Sequence, residues 1–212
     1  MESNDLPGLT DAIAEYMNRD DLTSQIPSYI NFAQVKLNLE LRLPQMLTSV
    51  SSSTSSTTIN MPADCLAIYN LVLTDSNGNQ LGRNTLQFVS EDDATILRNT
   101  GIGNGWEQYY TLFGNTIELI NISSTTPIYY KLRYYQQIPT LTTGSPTNWL
   151  ITIAPHLYLY SSLLEASVYL VEQQANISTW VQGRQMAIDA LNIAGDQLRF
   201  PQGNLNSRIK AF

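Results

Sequence analysis

The amino-acid sequence predicts a mixed α+β protein, in which an α-helical bundle formed by the two ends of the chain carries an inserted β-rich domain. Apolar residues recur at helical spacing in residues 9–43 and again in residues 154–198. Between these segments, residues 59–139 contain short alternating runs separated by Asn-Gly and Gly-Asn pairs, which favour hairpins. A strand block between helical blocks is typical of the α+β class. The predicted parts are bundle helices in 1–47, an inserted β domain in 48–145, further bundle helices in 146–198 and an extended C-terminal tail in 199–212.

Two helices are predicted in the N-terminal part. Apolar residues in 13–17 lie three or four positions apart and share a face, and the polar run 18–21 interrupts them. Thr23 or Ser24 is expected to cap the second helix, because short hydroxyl side chains favour that position, and Pro27 is tolerated in its first turn. The apolar stripe of this helix consists of Ile26, Ile30, Ala33, Leu37 and Leu41.

The predicted β domain begins with a low-complexity segment. Ten of the eleven residues in 48–58 are Ser or Thr, and since Thr favours extended structure we expect a polar edge strand. A strand in 66–73 is expected to turn at an Asn-Gly pair and to return along 80–89. A second hairpin is predicted for Tyr109–Phe113 and Thr116–Ile120.

Two further elements complete this domain. Ser90 is expected to cap a short helix whose acidic first turn, 91–93, suits the positive end of the helix dipole better than it suits a cation site. Residues 128–135 alternate strictly, with one face formed by Ile128, Tyr130, Leu132 and Tyr134 and the other by Tyr129, Lys131, Arg133 and Tyr135. Two interpretations of the second face stay open: a hydrogen-bonded rim of the core, or an oligomer surface.

The C-terminal part is predicted to be helical again. Asn148-Trp149 is expected to anchor the entry to a helix that begins near Pro155, and Asn176 is expected to end that helix. Its predicted stripe consists of Leu157, Tyr160, Leu164, Val168 and Val171. Ser178 or Thr179 would then cap a last helix. The stripe of that helix consists of Trp180, Ala187, Leu191, Ala194 and Leu198.

The composition of the chain excludes several classes of function. The chain has 212 residues, a formal net charge of −7, one His and one Cys. These counts exclude a Cys/His zinc site and a disulfide framework within one chain, and no phosphate-loop or G-x-S-x-G motif occurs. Tight binding of phosphates depends on Lys and Arg, so a chain this acidic is a poor DNA reader. We therefore expect no enzymatic activity, no cofactor, no metal and no membrane segment, and instead a binding or structural role.

Several short stretches, taken in order, resemble a known family. They are Tyr16-Met17-Asn18-Arg19-Asp20-Asp21-Leu22, Ile26-Pro27-Ser28-Tyr29-Ile30, Ala33, Leu41-Arg42, Met61-Pro62-Ala63-Asp64, Tyr134-Tyr135, Ile138-Pro139-Thr140-Leu141, Thr147-Asn148-Trp149-Leu150, Pro155-His156-Leu157-Tyr158-Leu159-Tyr160, Leu163-Leu164-Glu165-Ala166 and Trp180. The chain resembles the head-to-tail adaptor (head completion or gatekeeper) proteins of short-tailed bacteriophages. It departs from them at His156, where relatives often carry an acid, and in the Ser/Thr run.

The resemblance implies a virion protein without catalytic activity. Such adaptors form a homo-oligomeric ring, usually a dodecamer, that docks under the portal protein and receives tail nozzle or tail fibre proteins. DNA passes through their channel without specific binding. The chain is expected at the head–tail interface of the virion and in the host cytoplasm during assembly. The alternative is another tail component such as a nozzle or tail-tube protein, and a third reading, a metal enzyme using Asp20, Asp21 and Glu40, has no support in their spacing.

Candidate contact residues lie in the tail and in one loop. The resemblance implies that the C-terminal tail docks on the portal, and its candidate residues are Arg199, Phe200, Leu205, Arg208, Ile209, Lys210 and Phe212. A free terminus rarely keeps bulky apolar groups to its last residue, whereas a segment that folds onto a partner does. Trp106, beside three glycines, is a candidate contact for a tail partner. His156 and Cys65 are expected to be structural.

Overall fold

The computed structural model describes residues 4–18, 22–81, 85–100, 108–122, 127–170 and 174–199. It confirms the mixed α+β class, and the chain divides into two compact units. The helical unit comprises Met1–Gln45 and Ile138–Phe212, and the β unit comprises Met46–Gln137. By contact, the division therefore falls after residues 45 and 137, whereas the sequence pattern placed it after 47 and 145.

The helical unit begins with α1 (Leu6–Met17) and α2 (Ile26–Glu40). The Asp5 carboxylate accepts a hydrogen bond from the Gly8 N–H at 2.9 Å and so caps α1. The predicted cap of α2 at Thr23 or Ser24 is wrong. A single 3₁₀ turn, Thr23–Gln25, leads directly into α2, and the Ile26 N–H bonds to the Thr23 carbonyl, so no side-chain cap is needed.

Three helices close this unit: α4 (Trp149–Ile153), α5 (Pro155–Leu170) and α6 (Gln174–Arg199). The short α4 was not predicted; it is capped by Asn148, whose side-chain oxygen accepts from the Ile151 N–H at 2.9 Å. The break at Asn176 and the caps at Ser178 or Thr179 were wrong, because α6 runs through all three positions. Such residues are tolerated near the N-terminus of a helix, where they also serve as caps.

Helix α5 lies at the centre of the unit and packs against α1, α2, α4 and α6. Its predicted stripe holds for Leu157, which is buried, but fails farther along: Tyr160 and Leu164 are only half-buried, and Val168 is 81% exposed. Val171 lies outside the described residues. The fully buried face instead includes polar groups, and its members are Tyr158, Leu159, Ser162, Leu163 and Ala166. On α6, the prediction holds for Trp180 and Leu191, which are buried, but fails for Leu198, which is 63% exposed.

The β unit contains two sheets. The first has the antiparallel order β1 (Leu47–Thr54), β7 (Ile128–Gln136), β3 (Cys65–Thr74), which confirms the Ser/Thr segment as an edge strand. The second has the order β2 (Thr58–Asn60), β6 (Thr116–Ile120), β5 (Tyr109–Phe113), β4 (Gln87–Phe88). The predicted hairpin of β5 and β6 is confirmed, and Gly114 at its tip has φ +58°.

The predicted return along 80–89 is borne out only in part. Gln80 bridges Thr74, and the Leu81 and Leu86 N–H groups donate to the Leu73 and Leu71 carbonyls, each at 2.9 Å. The strand in this segment, β4, instead pairs in parallel with β5 in the other sheet. The turn itself is well formed, because the Asp75 carboxylate accepts hydrogen bonds from the Asn77 and Asn79 N–H groups at 2.9 and 2.8 Å. The turn was therefore predictable from local chemistry, but the partner of the strand that follows it was not.

The two sheets share one apolar core, which is formed by Ile59, Leu71, Leu73, Leu86, Tyr110, Ile117, Leu119, Ile128, Tyr130, Leu132 and Tyr134. Helix α3 (Glu91–Thr100) covers the other face of the second sheet, where it contacts β5 and β6. Its predicted cap is confirmed: the Asp93 N–H donates to the Ser90 hydroxyl at 3.2 Å, and that hydroxyl donates to the Asp93 carboxylate at 2.8 Å. The unit thus has three layers: helix, sheet, sheet.

Candidate functional site

The residues that the sequence singled out as partner contacts fall where the structure gives no side-chain description. Trp106 and all candidate tail residues from Phe200 to the C-terminus lie outside the described residues. Arg199 is the last residue of α6. Their roles therefore stay predictions.

His156 and Cys65 have surroundings that fit their expected structural roles. The His156 ring is exposed at the start of α5 and stacks on Tyr160, with ring centroids 6.4 Å apart. Cys65 is half-buried, and this burial, together with the neighbouring Asp64 charge, raises the pKa of its thiol. A raised pKa keeps a thiol protonated near neutral pH and therefore poorly nucleophilic.

The part of the chain that the structure describes contains no candidate metal site. No group of three or more His, Cys, Asp or Glu residues gathers there in a way that could hold an ion. Of the three acids considered for an enzyme, Asp20 and Asp21 lie outside the described residues, and Glu40 pairs with Arg184.

A buried network of amide side chains anchors the chain where it enters the helical unit after β7. The Gln34 amide donates to the Ile138 carbonyl at 3.0 Å, and Asn38 on the same helix accepts from the Ile138 N–H at 2.8 Å. Asn148 donates to the Pro139 carbonyl at 2.7 Å and to the Tyr158 hydroxyl at 2.9 Å. This confirms Asn148 as the expected anchor.

Tyr158 is the deepest member of this amide network. Its hydroxyl donates to the Gln34 side-chain oxygen at 3.3 Å while accepting from Asn148. Burial raises the pKa of Tyr158 to about 12, an effect that the Asn148 hydrogen bond only partly opposes. Side-chain amides thus satisfy backbone groups of an irregular segment that has no strand or helix to satisfy them.

A second polar cluster joins α2, α5 and α6. Lys36 pairs with Glu165 at 2.6 Å, while Arg184 bonds to the Ser161 hydroxyl at 3.2 Å and pairs with Glu40. These residues line a small open cavity. Each cation already has a carboxylate partner, so the cluster offers no net charge to a ligand. These ion pairs and the hydrogen bond link α2, α5 and α6 to one another.

The outer face of α2 carries an exposed apolar stripe. Phe32, Val35 and Leu39 are 49%, 52% and 70% exposed, and their spacing places them on the side opposite Ile30 and Leu37. The spacing of these residues, i, i+3 and i+7, predicts a second apolar stripe on this helix. Only the inward stripe, which has more apolar residues, was recognised in the sequence.

The outer face of the first sheet is a second candidate contact surface. It displays the alternating β7 residues Tyr129, Lys131, Arg133 and Tyr135, beside the serines of β1. Tyr69 on β3 is 56% exposed and meets Tyr135 edge-on, with ring centroids 6.1 Å apart. We call this surface the tyrosine–cation face, defined by Tyr69, Tyr129, Lys131, Arg133 and Tyr135.

The tyrosine–cation face has an unbalanced charge. The sequences of β1, β3 and β7 contain no Asp or Glu, and among the described residues neither Lys131 nor Arg133 has an acidic partner. The nearby Asp75 carboxylate is already bonded to the backbone and side chain of Asn79. Exposed tyrosines with unpaired cations are typical of contact surfaces.

Comparisons with known proteins identify the family of the chain. No curated protein matches the sequence significantly. Within the described residues, no helix has the length and apolar character that a bilayer crossing requires. A family model described as SU10 adaptor protein matches residues 4–206. The chain therefore belongs to the SU10 adaptor protein family, which confirms the resemblance to phage adaptors and makes it a structural adaptor protein of bacteriophages.

Proposed function

We propose that this protein is a ring-forming head-to-tail adaptor that docks under the portal, continues the DNA channel and provides the platform for tail attachment. Membership of an adaptor family over residues 4–206 carries the proposal. The ring is a dodecamer in the virion, and it acts mechanically, without a reaction, cofactor or metal. Before assembly, the protein is located in the host cytoplasm.

The described surfaces support a role inside an assembly. The apolar stripe of α2 and the tyrosine–cation face are both exposed, and each combines large side chains that a monomer gains nothing by presenting to water. They lie on different units of the chain. A protein that contacts the portal, the tail and its own neighbours needs several such surfaces.

We assign portal docking to the C-terminal segment. Residues 199–212 carry three cations and no acid, in a chain of net charge −7, together with Phe200, Leu205, Ile209 and Phe212. Each buried side chain of that type contributes about 1.5–3 kcal/mol, and ordering the segment costs part of this gain. A ring multiplies modest contacts, because linked copies raise the effective concentration of each next contact.

The net charge supports the passage of DNA without binding. A ring of chains that each carry a formal charge of −7 repels phosphates on average. A lining rich in Lys and Arg would instead hold DNA in a salt-dependent manner. Tight duplex binding by the assembled ring would contradict the channel role.

The alternative function is that of another tail component, such as a nozzle or tail-tube protein. Both roles use a structural protein that assembles with copies of itself. Negative-stain imaging of the protein alone and with purified portal rings separates them. A ring that caps the portal supports the adaptor role, whereas a tube that grows without portal supports the alternative.

Portal docking by the tail is tested by deleting residues 199–212. We expect the shortened protein to keep its circular dichroism spectrum and thermal unfolding curve but to lose binding to portal rings. Two full-length variants separate the contributions: serine at Leu205, Ile209 and Phe212 removes the apolar groups, and glutamine at Arg208 and Lys210 removes charge. Full portal occupancy by the shortened protein would assign docking to another surface.

A further inference from the structure

The β unit has one covered side and one bare side. Helix α3 covers the outer face of the second sheet: the Arg98 guanidinium pairs with Glu118 of β6 at 2.8 Å, and the Asn121 amide bonds to the Leu97 carbonyl at 3.0 Å. Under α3, the outward-facing Thr111 and Ile120 are only 1% and 2% exposed. In the described residues, no helix packs on the first sheet as α3 packs on the second. The tyrosine–cation face is buried at Val72 and Thr74, which lie opposite Lys131 and Tyr129, but it is open at Tyr69 and Arg133.

The covered and bare sides lie opposite each other. The inner faces of the two sheets share one core, so α3 and the tyrosine–cation face point away from each other across the unit. One chain therefore cannot bring its own α3 onto its own tyrosine–cation face. A second copy can do so, and two unlike patches on opposite sides give a head-to-tail contact, the type of contact that closes into rings.

The exposed side of α3 complements the tyrosine–cation face in charge. Asp92, Ile96 and Asn99 lie at i, i+4 and i+7 and are all exposed, with Ile96 at 57%. Asp92 belongs to an acidic first turn with Glu91 and Asp93. Glu91 already pairs with Arg98, and the Asp93 carboxylate already accepts from the Ser90 hydroxyl. Asp92 is therefore the carboxylate of α3 that matches the unpaired Lys131 and Arg133, while Ile96 offers apolar surface to the tyrosine rings.

A symmetric contact of the same face with itself is disfavoured. It would place Lys131 and Arg133 of one copy against the same residues of the other, and none of the three strands supplies a carboxylate to separate them. Like charges placed together at an interface cost binding energy. The charge pattern therefore favours α3 over a second sheet as the occupant.

From these observations we infer that α3 of one copy packs on the tyrosine–cation face of the next copy, with Asp92 facing Lys131 and Arg133. This inference rests on the proposed ring and names the contact that builds its β layer. The neighbour's helix supplies the fourth layer, so each β unit becomes helix, sheet, sheet, helix. The outer faces of both sheets are then covered.

The test compares two variants that change the net charge equally. K131Q/R133Q removes the two cations, and N60E/N115E adds two charges to exposed positions of the second sheet. Assembly of each full-length protein, alone and on portal rings, is followed by mass photometry and negative-stain imaging. We expect K131Q/R133Q to need at least a tenfold higher concentration to assemble, and N60E/N115E to assemble as the unaltered protein does.

A cross-linking experiment reports on the contact directly. In a Cys65→Ser background, Asp92→Cys and Arg133→Cys are combined in one chain and treated with a short bis-maleimide. The expected product is a ladder of linked copies up to the full ring, whereas either cysteine alone gives at most linked pairs. Asp92 and Arg133 are exposed and Cys65 is half-buried, so circular dichroism of every variant, including the Cys65→Ser background alone, verifies folding.

The outcomes separate this contact from the proposed function. If the unaltered protein assembles and K131Q/R133Q assembles equally well, the contact is wrong and the ring stands. The contact is also wrong if both charge variants lose assembly equally, or if the double-cysteine protein gives no ladder. Duplex DNA binding that K131Q/R133Q abolishes would make DNA the occupant and overturn the inference. An unaltered protein that never assembles, alone or on portal, overturns both proposals.

Discussion

The helical unit and the β unit satisfy their buried backbone hydrogen-bonding groups in different ways. In the β unit, strand ladders satisfy the backbone, and the core between the sheets is almost purely apolar. In the helical unit, the segment that begins at Ile138 has neither ladder nor helix, and its N–H and carbonyl groups bond to Gln34, Asn38 and Asn148. Amide side chains therefore enter the core of the helical unit, whereas the core between the two sheets has no amide or charged side chain among the described residues.

This difference predicts how each unit responds to substitution. An apolar core loses stability in proportion to the volume removed. A buried polar network loses stability when one partner is removed, since the groups left behind keep their desolvation cost. Four predictions test the comparison, beginning with the largest expected effect.

Leu132→Ala is expected to cost about 3–4 kcal/mol of the free energy of unfolding of the β unit. Leu132 is fully buried on the central strand of its sheet, and shortening a leucine in such a place leaves a cavity. Chemical denaturation gives the magnitude, and hydrogen–deuterium exchange locates the loss in β1, β3 and β7. A cost below about 1 kcal/mol would show that this core collapses easily around the missing atoms.

Asn148→Ala is expected to cost about 2–3 kcal/mol in the helical unit. It removes the cap of α4 and leaves the Pro139 carbonyl without its donor inside the protein. Asn192→Ala is the matched control, because Asn192 is exposed on α6, and its free energy of unfolding should stay within about 0.5 kcal/mol. Equal effects of the two variants would contradict the role of the amide network.

The stability of the helical unit is expected to fall between about pH 10 and pH 12. The pKa of Tyr158 is raised to about 12 in the folded chain, from its ordinary value of 10.0. The folded state therefore holds the proton more tightly, and its advantage is complete below pH 10 and is lost as pH rises toward 12. The loss approaches about 2–3 kcal/mol at the upper end.

Tyr158→Phe isolates this contribution from those of all other ionisable groups. The variant has no hydroxyl to ionise, so its free energy of unfolding should depend less steeply on pH above 10 than that of the unaltered protein. Urea denaturation at several pH values measures both slopes. Identical slopes would mean that the Tyr158 hydroxyl reaches water before the unit unfolds.

Val168→Ser is expected to change stability by less than about 0.5 kcal/mol, since Val168 is 81% exposed on α5. Leu163→Ala on the same helix is the matched comparison, because Leu163 is fully buried and should cost about 2–5 kcal/mol. Thermal and chemical unfolding of the two variants measure this contrast. A large loss of unfolding free energy for Val168→Ser would show that the face of α5 predicted by the apolar pattern is buried after all.

Local chemistry made several features predictable. The Ser90 cap, the turn at Asp75, the glycine at the β5–β6 tip and the alternation of β7 each depend on residues that are close in sequence. The tyrosine–cation face was recognised as the second face of residues 128–135, with a rim and an oligomer surface both left open. The missing information was its surroundings: Tyr69 joins it from β3, and no acid balances it.

The sequence by itself determined the α+β class, the edge position of the Ser/Thr strand and the adaptor resemblance, because period, composition and motif order are properties of the chain alone. The tertiary structure decided which face of α5 is buried, that α6 continues through Asn176, and that β4 pairs with β5. On α5 the physical reason is that a buried Tyr158 is tolerated because the fold brings partners from distant segments, such as Gln34, to its hydroxyl. Sequence patterns weigh apolar spacing and cannot count those partners.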